Sequence, residues 1–427
     1  KLVSHLGGNA FISEQNDSPE IKARLKGFDF ETGEHSESVF DSDLIIISPG
    51  ISKKTEVVKS VKDKKIPIVS EIEFASWFAT SPIIGITGSN GKTTTSYLAH
   101  SIFRNAGYQS KLGGNMGHPF STIVLDEIIN PVLDSVIILE ISSFQLEDIF
   151  FLSPILAIIL NITPDHLNRY DSLEHYARTK IRIAQNLSEK GALIFNQKDR
   201  MIDGLIREFD NIVKIPYLSE TESCIFTATD DGIYRGKQLL IPASSIHLKG
   251  LHNFENILAA ITAAHWFGIK LHYIIDAVTN FHNIRHRLEL VGEIDGVRFY
   301  NDSKATNTAS VIAALTSFSE NIVLILGGQS KGKSDISELI PHMKNRVRQI
   351  FCYGDAGTEL LAQVEEFFNA EFVWDFTSCM EKVFENLKTG DTVLLSPACA
   401  SFDQFERFEA RGDRFTALVN QFNGIRS

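Results

Sequence analysis

Short apolar runs alternate with longer amphipathic stretches along most of this chain. Runs rich in Val and Ile predict buried strands, and stretches with apolar residues three and four positions apart predict helices. This alternation is typical of parallel sheets covered by helices, so the pattern predicts an α/β protein. The predicted strands lie at residues 9–12, 44–47, 66–69, 82–87, 136–139, 155–162, 297–300, 323–326, 350–353 and 393–395.

Three such strand–helix series follow one another along the 427 residues. At roughly 150 residues per domain, this length favours about three domains. We predict domains over residues 1–80, 81–283 and 284–427, the central one with a mainly parallel sheet and the outer two with Rossmann-like sheets. The first series begins with a predicted helix at 2–6 instead of a strand and a glycine-rich turn, so we expect it to lack an upstream βα unit.

Composition narrows the possible classes of function. Lys and Arg number 41 against 53 Asp and Glu, and the resulting net charge of −12 disfavours general binding to nucleic acids or anionic membranes. An anionic ligand must therefore be held by local cations, backbone N–H groups or a metal ion. The four cysteines form no CxxC pair, and no apolar run approaches the roughly 18 residues of a membrane span. We expect a cytoplasmic protein without membrane insertion.

A glycine-rich loop follows the predicted strand at 82–87. The loop reads Gly-Ser-Asn-Gly-Lys-Thr-Thr and runs into a predicted helix, which is the context of a phosphate-binding loop. Lys92 can reach the β- and γ-phosphates, and Thr93 can bind Mg²⁺. Ile86 stands where the strict pattern has its first glycine, so the loop is a variant of that pattern. The alternative interpretation is an ordinary glycine-rich turn before a helix. The predicted phosphate-binding residues are Gly88, Ser89, Asn90, Gly91, Lys92, Thr93 and Thr94.

Three more side chains are candidates for metal binding. Glu140 directly follows an apolar strand, where a carboxylate can orient Mg²⁺ near bound phosphates. His166 follows the next predicted strand, although a histidine there can equally be a capping residue. Lys180 lies in a predicted helix over 173–187 and can equally be a surface lysine.

Helical spacing places Asn253 and Asn256 on one face of another predicted helix. Two amides arranged in this way can bind a purine base. The alternative is that Asn253 only caps the helix.

Polar loops follow three predicted strands of the last series. Residues 301–307 and 396–401 follow two of them, and Lys331 comes shortly after the Gly-Gly pair at the end of a third. Because parallel strands end at one edge of a sheet, the three loops suggest a site for an anion or an amino acid. Any one of them alone can be an ordinary turn.

Taken together, six segments resemble the Mur ligases, and the similarity extends over the whole chain. The resemblance implies an ATP-dependent ligase that activates a carboxylate as an acyl phosphate and joins it to an amine. It is closest to the members that add D-glutamate to UDP-N-acetylmuramoyl-L-alanine during cytoplasmic peptidoglycan precursor synthesis. The segments are 88–94, 140–147, 161–166, 252–256, 301–307 and 396–401.

The resemblance also implies roles for individual residues and two Mg²⁺ ions. Thr93 and Glu140 would hold the first ion, while His166 and a carbamylated Lys180 would hold the second. These residues and Lys92 would form the catalytic centre of a monomeric enzyme. The ATP base and ribose would contact Asn256, Arg287 and Asp302. The nucleotide substrate would contact Gly50, Asn115, Ser142 and Gln145. D-glutamate would contact Lys304, Thr306, Lys331, Ser401 and Phe408.

Other functions stay open at the level of sequence. A sibling Mur-type ligase or a folylpolyglutamate synthase-like ligase would share the ATP-binding segments, but the latter does not resemble the first 80 residues. A non-catalytic nucleotide-binding module would keep the phosphate loop without needing Glu140, His166 and Lys180 together. A dinucleotide-dependent dehydrogenase is disfavoured because no GxGxxG motif follows a strand.

Overall fold

The α/β prediction is confirmed by the structure, a computed structural model that describes residues 1–165, 169–218, 224–248, 250–282, 284–329 and 335–426. The chain divides into two compact units. The first comprises Lys1–Ala243 and Glu255–Thr279, and the second comprises Ser244–Phe254 and Asn280–Ser427. Among the described residues, none of the helices is long and apolar enough to cross a membrane.

The first part of unit 1 contains two separate pairs of parallel strands. Strand β1 pairs with β2, and β3 pairs with β4. Ser18 and Ser70 cap the helices that follow them by accepting a backbone N–H three residues later. The strands are β1 (Phe11–Glu14), β2 (Asp29–Thr32), β3 (Ile45–Ile47) and β4 (Ile68–Ser70), and the helices are α1 (Leu2–His5), α2 (Pro19–Leu25), α3 (Glu56–Asp63) and α4 (Glu71–Ser76).

The rest of unit 1 is built on a six-stranded, fully parallel sheet with the order β10-β9-β8-β5-β7-β6. A three-stranded antiparallel sheet, β11-β12-β13, follows it in sequence. The strands are β5 (Ile83–Thr87), β6 (Gln109–Gly114), β7 (Ser135–Glu140), β8 (Leu156–Ile159), β9 (Ala192–Asn196), β10 (Val213–Leu218), β11 (Phe226–Thr229), β12 (Gly232–Arg235) and β13 (Gln238–Pro242).

Helices pack against this sheet and against one another through apolar faces. The helix after β5 buries Leu98, Ala99, Ile102 and Phe103, whose spacing of three and four residues forms one stripe. All five residues of β5 are buried, as expected for a central parallel strand. The helices are α5 (Lys92–Asn105), α6 (Phe120–Ile129), α7 (Ser143–Leu146), α8 (Leu173–Ile181), α9 (Arg200–Leu205), α10 (Leu251–Trp266) and α11 (Leu271–Thr279).

Unit 2 contains a second six-stranded sheet, with the order β14-β15-β19-β16-β17-β18. Only β14 runs antiparallel to its neighbour, and buried apolar clusters lie on both faces. The strands are β14 (Glu289–Ile294), β15 (Val297–Asn301), β16 (Ile322–Gly327), β17 (Val347–Tyr353), β18 (Ala370–Val373) and β19 (Thr392–Ala398). The helices are α12 (Thr308–Leu315), α13 (Ile340–Met343), α14 (Gly357–Val364), α15 (Phe376–Glu385) and α16 (Phe408–Arg426).

Two predicted elements end three or more residues earlier in the structure than predicted. The strand predicted over 155–162 ends at Ile159, and the residues after it leave the sheet and contact the phosphate loop. The helix predicted over 173–187 is α-helical to Ile181 and continues as one 3₁₀ turn, Arg182–Ala184. In both places the apolar pattern continues past the end of the regular hydrogen-bonding ladder.

Candidate active site

The glycine-rich loop directly follows β5, the strand at the centre of the unit 1 sheet. Gly91 caps α5 with a φ of 83°, and a Cβ atom there would collide with the side-chain amide of Asn256. Asn161, beyond the end of β8, accepts the N–H of Ser89 through its carbonyl and the N–H of Asn90 through its side chain, both at 2.8 Å. The loop is therefore fixed by its glycine conformation and by the neighbouring strand.

Lys92 is the first residue of α5, and its ammonium group lies over the loop. Its Nζ donates to the carbonyl oxygens of Gly88 and Ser89, each at 2.7 Å. Positive charge is thus concentrated where the N-terminus of α5 already favours an anion. This arrangement suits the phosphates of a nucleotide.

A hydroxyl and a carboxylate meet beside this loop. Thr93 Oγ1 donates to Glu140 Oε2 at 2.6 Å, and Asn115 Nδ2 donates to Glu140 Oε1 at 2.8 Å. The sheet register brings them together, because Glu140 ends β7 next to β5 on one side and β6 on the other. Hydroxyl and carboxylate oxygens are ligands that Mg²⁺ prefers, so Thr93 and Glu140 fit this ion together with phosphate oxygens.

Lys180 is buried in α8, with 1% of its surface exposed, so it is not a surface lysine. Its Nζ donates to Gly88 O at 2.9 Å and lies 4.7 Å from the centre of the Tyr176 ring. Burial, reinforced by the charge of Lys92, holds the pKa of Lys180 well below its ordinary value of 10.5. The lowered pKa favours the unprotonated form of an amine that lies against the phosphate loop. His166, its predicted partner, lies outside the described residues.

The predicted base and ribose contacts are divided between the two units. Asn256 belongs to unit 1, where Thr95 Oγ1 donates to its Oδ1 at 3.4 Å. Asp302 belongs to unit 2, as does Arg287, and accepts from Ser396 Oγ at 2.8 Å. Burial raises the pKa of Asp302 from 3.8 to about 7, against the opposing effects of the Ser396 hydrogen bond and the Arg287 charge.

Ser142 and Gln145 form a capping box at the start of α7. Ser142 Oγ accepts the N–H of Gln145, and Gln145 Oε1 accepts the N–H of Ser142 at 3.0 Å. Asn115 lies near the start of this helix, because it donates to Glu140, which is two residues before Ser142 in sequence. Three of the four predicted nucleotide-substrate contacts therefore lie along the carboxyl ends of β6 and β7.

The fourth residue, Gly50, lies in a loop that is tied to the rest of unit 1 by Arg169, which sequence reasoning missed. Arg169 donates to Pro49 O at 3.0 Å, forms two hydrogen bonds to the Glu147 carboxylate and stacks on the Phe144 ring. No local pattern identifies this role, because its acceptors are distant in sequence. A pocket of about 560 Å³ opens beside Arg169 and is lined by none of the predicted site residues.

In unit 2, two of the predicted amino-acid contacts touch each other. Lys304 Nζ lies 3.9 Å from the centre of the Phe408 ring. Ser401 is buried at the end of the loop that follows β19, and Thr306 lies in the loop that follows β15. The two loops meet at one edge because β15 and β19 are paired. Lys331 lies outside the described residues.

Sequence reasoning also missed Arg411, whose side chain is completely buried beneath these loops. The sequence carried a signal, because Phe408, Arg411, Phe415 and Leu418 recur at intervals of three and four residues along α16. An arginine in the middle of an otherwise apolar stripe must find buried acceptors.

Comparisons with protein families match three successive parts of the chain. The MurD N-terminal domain matches residues 1–57, the Mur ligase middle domain matches 86–264, and the Mur ligase glutamate ligase domain matches 286–399. The UDP-N-acetylmuramoylalanine–D-glutamate ligase of Salinibacter ruber is 36% identical, over 98% of this chain and 94% of the relative. The enzyme of that name from Cytophaga hutchinsonii is 38% identical, over 98% and 95%.

This chain belongs to the Mur ligase family and is a ligase with the three-domain α/β architecture of that family. The fold agrees with the UDP-N-acetylmuramate–alanine ligase MurC of Thermotoga maritima at a TM-score of 0.63 and 17% identity, covering 98% of this chain and 95% of that one. Escherichia coli FolC, in complex with DHPP and ADP, shares the fold at a TM-score of 0.58 and 15% identity, covering 84% and 94%.

Proposed function

We propose that this ligase adds D-glutamate to UDP-N-acetylmuramoyl-L-alanine with conversion of ATP to ADP and phosphate, a cytoplasmic step of peptidoglycan precursor synthesis. The proposal rests on one observation. Lys92, the Thr93–Glu140 pair and the buried Lys180 all lie at the same phosphate loop. The names of the relatives support the choice of substrates. A simple nucleotide-binding module needs neither the Thr93–Glu140 pair nor a buried lysine at this loop.

The reaction we propose begins with attack of the substrate carboxylate on the γ-phosphorus of ATP. ADP leaves, and an acyl phosphate forms. The amine of D-glutamate then attacks the acyl carbon, and the tetrahedral intermediate releases phosphate and leaves a new amide. Two anions must approach in the first step, so a protein with a net charge of −12 needs concentrated local positive charge. Lys92 and the N-terminus of α5 supply it.

Thr93 and Glu140 would hold one Mg²⁺ at this loop. When bound, the ion neutralises charge on the phosphate oxygens. Asn115 donates to the other oxygen of Glu140 and thereby orients the carboxylate toward Thr93.

Lys180 would be carbamylated and, with His166, would hold a second Mg²⁺. Carbamylation requires an unprotonated amine, which adds to CO₂ and loses one proton to give an anionic carboxylate. The lowered pKa of Lys180 supplies such an amine. The carbamate would lie close to the cation of Lys92, which compensates its charge in a buried site.

The remaining contacts follow the same assignment. Residues 1–80 would bind the nucleotide substrate, 81–283 would bind ATP, and 284–427 would bind D-glutamate, in a monomeric enzyme. Gly50, Asn115, Ser142 and Gln145 would contact the nucleotide substrate. Asn256, Arg287 and Asp302 would contact the base and ribose of ATP. Lys304, Thr306, Lys331, Ser401 and Phe408 would contact D-glutamate.

The deciding experiment measures phosphate release from ATP in the presence of UDP-N-acetylmuramoyl-L-alanine and Mg²⁺. D-glutamate, L-glutamate and a reaction without amino acid are compared side by side. Turnover with D-glutamate alone supports the proposal. Turnover only with another amino acid would move the chain to a sibling ligase, and turnover only with a folate acceptor would favour the folylpolyglutamate synthase-like alternative. No turnover with any acceptor would favour a binding module.

A further inference from the structure

Arg411 has an unusual environment for a charged residue. Its side chain is 0% exposed, and its guanidinium donates only to neutral oxygens. Within the described ranges, no carboxylate oxygen lies within the 4.0 Å of an ion pair. The acceptors are Ser303 Oγ at 2.9 Å, Ser303 O at 2.7 Å, Tyr353 Oη at 3.1 Å, Cys399 O at 3.2 Å, Ala400 O at 3.3 Å and Gly327 O at 3.4 Å.

This guanidinium keeps its charge, because arginine does not lose its proton in proteins. A buried charge without an ion pair is costly, so neutral hydrogen-bond partners must compensate it. Asp302 is near enough for the charge of Arg411 to lower the pKa of Asp302, but the two are not an ion pair. A permanent positive charge therefore lies under the carboxyl edge of the unit 2 sheet.

The acceptors of Arg411 lie at the carboxyl ends of four adjacent strands of this sheet. Ser303 follows β15, Gly327 ends β16, Tyr353 ends β17, and Cys399 and Ala400 follow β19. Two of the acceptors directly precede proposed amino-acid contacts in sequence, since Ser303 precedes Lys304 and Ala400 precedes Ser401. Phe408 is another proposed contact and lies one helical turn before Arg411. Its carbonyl accepts from Ser303 Oγ at 2.8 Å.

The loops fit tightly around the guanidinium. Gly328 has a φ of 119°, and a Cβ atom there would press on Ala400 O and on Arg411 Nη1. Gln329 N–H in turn donates to Ala400 O at 2.8 Å. A shorter or differently shaped side chain at position 411 would leave several of these carbonyls without a donor.

We propose that Arg411 is a positioning residue for the amino-acid substrate, because it joins the carboxyl ends of four adjacent strands and places a permanent positive charge beneath the proposed contacts of a dicarboxylate. This inference rests on the proposed function. It predicts that Arg411 affects the amino acid more than the nucleotide substrate, whose proposed contacts lie in unit 1. It also predicts that part of the preference for a charged amino-acid side chain originates at Arg411.

The test compares Arg411→Lys and Arg411→Gln with the unaltered full-length enzyme. We expect KM for D-glutamate to rise at least about tenfold in both, because carbonyls that orient the pocket lose their donor. KM for UDP-N-acetylmuramoyl-L-alanine should stay within about twofold, since the residues assigned to it lie in unit 1. The ratio of kcat/KM for D-glutamate to that for D-glutamine should fall further in Arg411→Gln than in Arg411→Lys, because only the former removes the charge.

Two further variants keep the test decisive. Tyr353→Phe removes one acceptor and keeps the ring in the core, so we expect a rise of about threefold in KM for D-glutamate even if Arg411 variants do not fold. Arg348→Lys is the matched control, because Arg348 is a paired arginine of unit 2 that contacts Asp391. It should leave KM for D-glutamate unchanged.

Equal increases in KM for D-glutamate and for the nucleotide substrate, or an unchanged KM for D-glutamate in folded Arg411→Lys and in Tyr353→Phe, would overturn the assignment of Arg411. The proposed function is judged separately, by turnover of the unaltered enzyme with D-glutamate. If that enzyme uses another amino acid, the proposed substrate is wrong, and the same comparison of KM values is made with the amino acid that it uses.

Discussion

Each unit buries a basic side chain beneath the carboxyl edge of a parallel sheet, but the two side chains differ chemically. Lys180 in unit 1 donates to Gly88 O and has a strongly lowered pKa. Arg411 in unit 2 has six neutral acceptor oxygens and keeps its charge. Burial favours the unprotonated form of a lysine, whereas a buried arginine keeps its charge. The same change of environment therefore has opposite consequences for the two side chains.

Lys180→Arg should give the largest effect. It would place a permanent cation where a neutral amine is needed, and the longer side chain would not fit the buried site. We expect phosphate release to fall by about a thousandfold, the scale on which loss of a group that stabilises developing charge acts. The measurement is steady-state turnover with D-glutamate. Lys190→Arg, at an exposed position, is the control and should retain full activity.

Glu140→Gln tests the carboxylate that accepts from Thr93 beside the phosphate loop. The amide keeps the shape and can still accept from Thr93 but removes one negative charge. We expect kcat/KM for ATP to fall about a hundredfold, because the ligand field for Mg²⁺ is weaker. A Mg²⁺ titration of the rate should show half-saturation at a higher concentration. An unchanged Mg²⁺ dependence would contradict the role of Glu140 as a metal ligand.

Asp302 extends the comparison to a buried acid in unit 2. Its pKa is about 7 in the folded protein and 3.8 ordinarily, so the folded state binds more protons between these values. Stability from this group is therefore present at low pH and lost as pH rises through about 7. We expect the unfolding free energy of the unaltered protein to decrease by a few kcal/mol between pH 5 and 8 because of Asp302. In Asp302→Asn this decrease should be absent. Denaturant unfolding at several pH values measures it, and parallel curves for both proteins would refute it.

Glu73 is a buried acidic residue of unit 1 with several hydrogen-bond donors around it. Its substitution should give the smallest effect. Its buried carboxylate accepts the backbone N–H groups of Phe150, Phe151 and Leu152 at 2.8 to 3.0 Å, and the indole N–H of Trp77 at 2.7 Å. Glu73→Gln would replace one acceptor oxygen by a donor. We expect unfolding free energy to fall by about 1–3 kcal/mol with kcat nearly unchanged. Thermal unfolding checks this, and Glu189→Gln, at an exposed position, is the control.

Much of the fold follows from local pattern. Strands such as 136–139 and 323–326 are continuous apolar runs, and buried parallel strands require such runs. Strand β6 (Gln109–Gly114) was not predicted, because its residues are mixed in polarity and it lies at the edge of its sheet. Edge strands have one solvent-exposed side, so their pattern is weak.

The sequence by itself determined the fold class, the family and the position of the phosphate loop, because glycine conformation, strand pattern and a lysine at a helix start are local properties. Only the tertiary structure decided that Lys180 is buried, that Thr93 meets Glu140 and that Arg169 and Arg411 join distant loops. Each of these depends on strand order and on acceptors dozens of residues away. Burial, hydrogen bonding and charge are set by neighbours in space, and that determines what each ionisable side chain can do.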